Sequence, residues 1–200
     1  MVEMTAMNTP RHPTRRQWIT LAALLAAATQ LTVSAQVLPA PTSPARVKEL
    51  VALLQSKKLE AYAVKDTAEA GRFVAVYLVP NVQLMLISAG YERPTDVEYR
   101  IYQKDFTNAY AELNSSVLAK DKVFFQDALC DGLFPKSTNG AEDIVTIGTA
   151  KRVFNGDYND PKKKPDPKKP SLEDYVKAFS DADAKYTSLV TMLLDELKKT

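Results

Sequence analysis

The side chains best suited to chemistry are two carboxylates and one thiol next to Gly132. Asp127, Cys130 and Asp131 directly follow an apolar, strand-like run. Loop residues at strand ends often carry function, which makes Asp131 a candidate ligand or partner contact. The same residue types are typical of a turn that closes a strand. Cys130 is the only cysteine, so it favours a buried thiol, with intermolecular pairing or redox reactivity as the alternatives.

A second oxygen-rich segment is Asn155-Gly156-Asp157-Tyr158-Asn159-Asp160. Carboxylate and amide oxygens are calcium ligands, and Asp157 and Asp160 could supply them. The segment lacks the ligand spacing and the distal Glu of an EF-hand, and Asn, Gly and Asp are equally the residues of turns. We therefore assign no metal site, and Asp157 stays a candidate ligand or partner contact.

The sequence excludes several reaction classes. The only histidine, His12, lies in an N-terminal segment that we expect to be removed, so the remaining chain has no imidazole for a Ser-His-Asp triad or a metal site. One cysteine cannot form a thiolate zinc cluster, and the six glycines form no nucleotide-binding fingerprint. The sequence favours a protein that is not an enzyme, without deciding the question.

Residues 1–35 have the pattern of an export signal. Arg15 and Arg16 form a basic pair before an apolar run of roughly 16 residues, shorter than the ~20 of a bilayer span. Small Ser34 and Ala35 suit a signal peptidase. We expect a cleaved signal, of twin-arginine type or of the Sec type, with a retained anchor as the alternative. The mature protein would be periplasmic or secreted, with no stable transmembrane span after cleavage.

The charge of the chain disfavours nucleic acid as a partner. Residues 1–35 hold three of the 26 basic and one of the 24 acidic residues, which leaves 23 of each in the remainder. Nucleic-acid binding needs a clustered basic excess. The Lys-rich and Pro-rich segment 161–170 could contact anionic lipid or a polyanion, but such a run is more typical of a solvated linker or surface loop.

Hydrophobic periodicity predicts an N-terminal helix and a central hairpin. A short leader spans residues 36–42, and a core domain spans residues 43–160. Ser43 before Pro44 predicts a helix start with Ser43 as the N-cap, and the apolar spacing continues to about Lys58. Strands are predicted over residues 60–65, 72–79 and 82–88. The two strands at 72–79 and 82–88 are apolar on both faces and should be central.

The second half of the core alternates helix and strand signals. A middle helical pair is predicted over a face from Val97 to Val117, with strands from Lys122, over residues 143–149 and over residues 152–158. Ser171 and Asp174 predict a capping box for a long C-terminal helix over residues 171–200. The predicted fold class is α+β: a mostly antiparallel sheet of five or six strands with an N-terminal helix, a middle helical pair and a C-terminal helix packed on the core.

This order of elements resembles the FMN-binding split barrel of pyridoxamine-phosphate-oxidase-like proteins over residues 45–158. The resemblance starts at Leu50-Val51-Ala52-Leu53-Leu54 and runs into Leu59-Glu60-Ala61-Tyr62-Ala63-Val64. It rests on element order and hydrophobic rhythm, with no specific motif. It implies a flavin phosphate held by basic and hydroxyl residues, for which Ser88, Arg93 and Arg100 are the matching positions.

The sequence therefore supports two functional hypotheses. The favoured one is an exported binding or interaction module that recognises an unknown small molecule or an envelope protein by a groove or a sheet face. Tyr91, beside Arg93, is a candidate stacking or anion contact in that role. The alternative is a flavin- or haem-binding protein of the split-barrel kind.

Overall fold

One open antiparallel sheet organises the fold, and the spatial order of its strands follows the chain from β1 to β6. The computed structural model describes residues 37–69, 71–79, 82–90, 122–137 and 140–200. β1 and β6 are the two edges, and every neighbouring pair is antiparallel. The predicted α+β class is confirmed. The strands are β1 Ala61–Lys65, β2 Arg72–Val79, β3 Gln83–Gly90, β4 Val123–Ala128, β5 Asp143–Ile147 and β6 Ala150–Phe154.

Two helices, α1 (Pro44–Ser56) and α2 (Leu172–Leu197), pack on one face of the sheet. Their buried residues recur at helical spacing, as in Val47, Leu50 and Leu54 of α1. Each fully buried aliphatic side chain stabilises the fold by about 1.5–3 kcal/mol. In the described residues no helix combines the length and the apolar character that a bilayer span requires. The predicted export signal and middle helical pair lie outside these residues.

β2 and β3 are buried on both faces, as their sequences predict. Their even-numbered residues, such as Val74 and Leu86, join the core under the helices. Odd-numbered residues such as Phe73 and Ile87 form a second buried cluster, which contains no residue of α1 or α2. The central position of the hairpin in the sheet is therefore confirmed.

α2 crosses the sheet diagonally. Near its start, Phe179 stacks edge-on against Phe154 of β6, with the ring centroids 5.3 Å apart. Two turns later, Tyr186 packs on Phe125 of β4 at 4.8 Å. α2 also contacts α1, β1 and β2. Because the crossing is diagonal, α2 leaves the corner of the sheet at the β5–β6 turn uncovered, where Ile147 is 57% exposed.

Two predicted local features need correction. Ser43 occupies the N-cap position of α1 but makes no side-chain cap, because its hydroxyl instead accepts the Leu133 N–H at 2.9 Å and donates to Asp183 Oδ1 at 2.6 Å. The last strand ends at Phe154, not at 158, because Gly156 adopts φ +80° in a turn. Ser171 does cap α2, since its hydroxyl accepts the Asp174 N–H at 3.0 Å.

Candidate functional site

Asp127, at the end of β4, is a fully buried carboxylate with three hydrogen-bond donors. Oδ1 accepts the Asp131 N–H at 3.0 Å, and Oδ2 accepts the Gly132 N–H at 2.9 Å. The Tyr186 hydroxyl of α2 donates to Oδ2 at 2.9 Å. Asp127 therefore fixes the loop that follows β4 to the C-terminal helix.

Two further buried aspartates act in the same region: Asp143 binds the loop directly, and Asp183 binds Ser43, whose hydroxyl accepts the Leu133 N–H of the loop at 2.9 Å. Asp143 of β5 accepts the backbone N–H groups of Ala128 at 3.0 Å and Phe134 at 2.7 Å. Asp183 of α2 accepts the backbone N–H and the hydroxyl of both Thr42 and Ser43. We call Asp127, Asp143 and Asp183 the aspartate network.

The loop held by this network, residues 128–134, has an unusual backbone. Leu129 and Cys130 are consecutive non-glycine residues with positive φ, at 74° and 59°. Such residues cost about 1–3 kcal/mol each and persist where the surroundings hold them. Glycine is required at position 132 for two reasons: its φ of +97° is one that other residues rarely adopt, and a Cβ there would lie 2.7 Å from Pro44 N and Cα.

Burial changes the acid–base chemistry of this region. It raises the pKa of Asp127 to about 7 and the pKa of Asp143 to about 7. It also raises the pKa of Cys130 to about 11, so the thiol stays protonated at neutral pH and is a poor nucleophile. Burial raises the pKa of Asp131 as well. Both oxygens of Asp127 and of Asp143 are occupied by protein donors, so the network is an anchor for the loop.

The second oxygen-rich segment is a turn that organises a surface loop. Asp157 forms an ion pair with Lys169, and Asp160 accepts the Lys162 N–H at 2.9 Å. Asn159 binds the loop at several points, for example by donating to the carbonyl of Lys169 at 2.8 Å. Within the described residues no group of three or more His, Cys, Asp or Glu side chains could hold a metal ion.

Of the residues implied for flavin binding, the structure describes Ser88. It lies on β3 and is buried, and its hydroxyl accepts a long hydrogen bond from Arg72 Nη2 at 3.4 Å. Arg93, Arg100 and the neighbouring Tyr91 lie outside the described residues. The flavin phosphate site therefore stays a prediction.

The uncovered corner of the sheet forms a groove of about 620 Å³ beside α2. This volume lies within the ~300–1,000 Å³ of small-molecule sites. The strands supply an apolar floor, and α2 supplies one wall that alternates alanine with charged residues. We call it the β6–α2 groove, and its lining is Val123, Phe125, Val145, Ile147, Ala150, Arg152, Phe154, Pro170, Asp174, Lys177, Ala178, Asp181, Ala182 and Lys185.

Strand register explains why these side chains share one face. Phe125 pairs with Val145, and Val145 pairs with Arg152, so the three project from the same side of β4, β5 and β6. This groove was not predicted, and the described candidate residues Ser88, Asp131 and Asp157 do not line it. The available signal was the half-polar pattern of the last strands, where charged Arg152 alternates with apolar Val153.

No protein-family model, no curated protein and no solved structure matches this chain. The features that bear on function are therefore the aspartate network and the β6–α2 groove.

Proposed function

We propose that this chain is an exported, non-enzymatic binding module whose ligand occupies the β6–α2 groove. The observation that carries the proposal is a concave site of about 620 Å³ with an apolar floor and a few charged groups at its rim. Sites for small molecules are typically built in this way. Ile147, more than half exposed in the groove, would lose its contact with water when a ligand binds.

The composition of the groove favours binding over catalysis. Among the described residues its lining contains no Ser, Thr, Cys, His or Tyr that could act as nucleophile or general base. Its two carboxylates already have partners, since Asp181 pairs with Lys177 at 3.1 Å and Asp174 accepts from the Ser171 hydroxyl at 2.7 Å. The two carboxyls whose pKa rises to about 7, Asp127 and Asp143, do not line the groove.

A neutral apolar fluorophore, N-phenyl-1-naphthylamine, tests the proposal. The wild-type protein should bind it with increased emission. Ala178→Trp, which places a large ring in the groove, should weaken this binding about tenfold or more. Ala184→Trp is the matched control, because Ala184 lies on the same helix, is exposed and does not line the groove.

Two outcomes would contradict the proposal. One is no binding of the fluorophore by the wild-type protein, or equal binding by the Ala178→Trp variant. The other is a flavin or haem absorption band in the protein purified after export, which would support the cofactor-binding alternative.

A further inference from the structure

Arg152 is the cation in the groove whose charge is not paired. It lies on the edge strand β6, is exposed and projects from the same face as Val145. Across the described residues its guanidinium has no ion pair and no hydrogen bond. The two lysines of the lining differ in this respect, since Lys177 pairs with Asp181 at 3.1 Å and Lys185 pairs with Glu69 at 3.5 Å.

The free guanidinium of Arg152 favours an anion. Among the described lining residues, the ammonium groups of Lys177 and Lys185 already have carboxylate partners, so Arg152 is the cation left to bind one. The planar guanidinium of arginine can donate two parallel hydrogen bonds to one carboxylate or phosphate, which lysine cannot. A ligand head group with one negative charge would supply the partner that Arg152 lacks.

The floor next to Arg152 favours a ligand with a hydrocarbon part. Its side chains are aliphatic or aromatic, and they come from three adjacent strands. An apolar chain on this surface removes the exposed part of Ile147 from water, at about 25 cal/mol per Å² buried. The side chains of the floor that a ligand can reach are Val123, Ile147 and Ala150, whereas Phe125, Val145 and Phe154 are at most 1% exposed and support them from the core.

We propose that the β6–α2 groove binds a single-chain amphiphile with one anionic head group, with the head on Arg152 and the chain on the apolar floor. This inference rests on the proposed function and names the ligand class for the same site. The ligand is the free amphiphile in solution, not a lipid within a membrane. A peptide strand added to β6 is disfavoured because lysine on an edge strand, here Lys151, opposes strand pairing.

Displacement of N-phenyl-1-naphthylamine tests the ligand class. Dodecanoate, dodecanol and dodecyltrimethylammonium have the same chain and differ in head-group charge. Below the micelle concentrations of the two ionic amphiphiles and the solubility limit of dodecanol, dodecanoate should displace the fluorophore at about tenfold lower concentration than the other two, as expected for one charge-assisted contact. Arg152→Gln should remove this preference. Lys151→Gln is the matched control, because Lys151 is the exposed neighbour on the opposite face of β6.

The outcomes separate this inference from the proposed function. If the fluorophore binds, Ala178→Trp blocks it and the three amphiphiles displace it equally, the groove binds ligands but the anion assignment is wrong. Equal loss of the preference in Arg152→Gln and Lys151→Gln would also overturn it. The inference is also overturned if the protein sediments with phosphatidylglycerol vesicles while free dodecanoate does not displace the fluorophore, because Arg152 would then bind a membrane surface. If the fluorophore does not bind, the proposed function itself fails.

Discussion

Asp127→Asn is expected to reduce the pH dependence of stability. Asp127 is fully buried, and burial raises its pKa in the folded protein from 3.8 to about 7. Between these two pH values the folded protein holds a proton that the unfolded chain has released. The free energy of unfolding must therefore fall as the pH rises through this range. The stabilising contribution is complete below the unfolded pKa and is lost once the pH passes the folded pKa.

The structure sets the size of the effect. Each pH unit is worth ~1.36 kcal/mol, so a pKa change from 3.8 to about 7 corresponds to ~4 kcal/mol for Asp127. Asp143 adds a second contribution, because its pKa also rises to about 7 and the charge of Asp127 is one of the causes. Asp127→Asn should therefore remove more than half of the slope of the free energy of unfolding against pH, because it also lowers the pKa of Asp143.

Urea unfolding followed by far-ultraviolet circular dichroism, from about pH 5 to about pH 8, measures this slope. The wild-type protein should lose stability across the range, and the Asp127→Asn variant should lose much less. Asp195→Asn is the control, because Asp195 is an exposed aspartate of α2. A wild-type stability that is constant or rises over this range would refute the reasoning. Equal slopes in the wild-type and Asp127→Asn proteins would refute it as well.

Two further predictions concern the anchors of loop 128–134. Gly132→Ala should lower the free energy of unfolding by ~3 kcal/mol or more, because its Cβ would lie 2.7 Å from Pro44 N and Cα. Gly140→Ala is the control, because Gly140 has a similarly positive φ but a Cβ there would meet no atom within 4 Å. Thermal unfolding should show a loss nearer ~1–2 kcal/mol for this control. Asp183→Ala leaves the N–H and hydroxyl donors of Thr42 and Ser43 without this acceptor, so it should lower the free energy of unfolding by ~3 kcal/mol or more. Asp181→Ala, which removes an exposed ion pair, should lower it by less than ~1 kcal/mol. Similar losses for the two variants in urea unfolding would contradict the role of Asp183.

Most of the sheet could be predicted because its signals are local. Residues 72–79 alternate apolar side chains on both faces, and β2 has these bounds in the structure. The start of α2 was equally clear, since Ser171 and Asp174 lie three residues apart and satisfy each other's hydrogen-bonding groups. Strand and helix periodicities depend on neighbours in sequence, so one sequence is enough to show them.

The aspartate network could not be predicted because its contacts join distant parts of the chain. Ser43 has the residue type and the position of a helix cap, but its hydroxyl accepts the N–H of Leu133, 90 residues away, and donates to Asp183, 140 residues away. The sequence predicts Asp127 directly after a strand and the structure has it within β4, but nothing in the sequence indicates that Tyr186 donates to it. Hydrogen bonds between distant residues depend on how the helices cross the sheet.

The β6–α2 groove was missed for a related reason. A groove is space left uncovered, and it depends on the angle at which α2 crosses the strands. The identity of Arg152 does not indicate how α2 crosses the sheet, and an exposed arginine on an edge strand is an ordinary feature. Its importance follows only from its position among Val145, Phe154 and Lys185.

Methyl NMR during titration with dodecanoate is the most direct test of the central claim, that the β6–α2 groove is a ligand site for an anionic amphiphile. Ile147 lies in the groove, and Ile87 lies in the separate buried cluster on the other face of the sheet. We predict that the Ile147 methyl resonances shift in a saturable way and that those of Ile87 do not. Unchanged Ile147 resonances at saturating dodecanoate, or equal shifts at both residues, would contradict the claim.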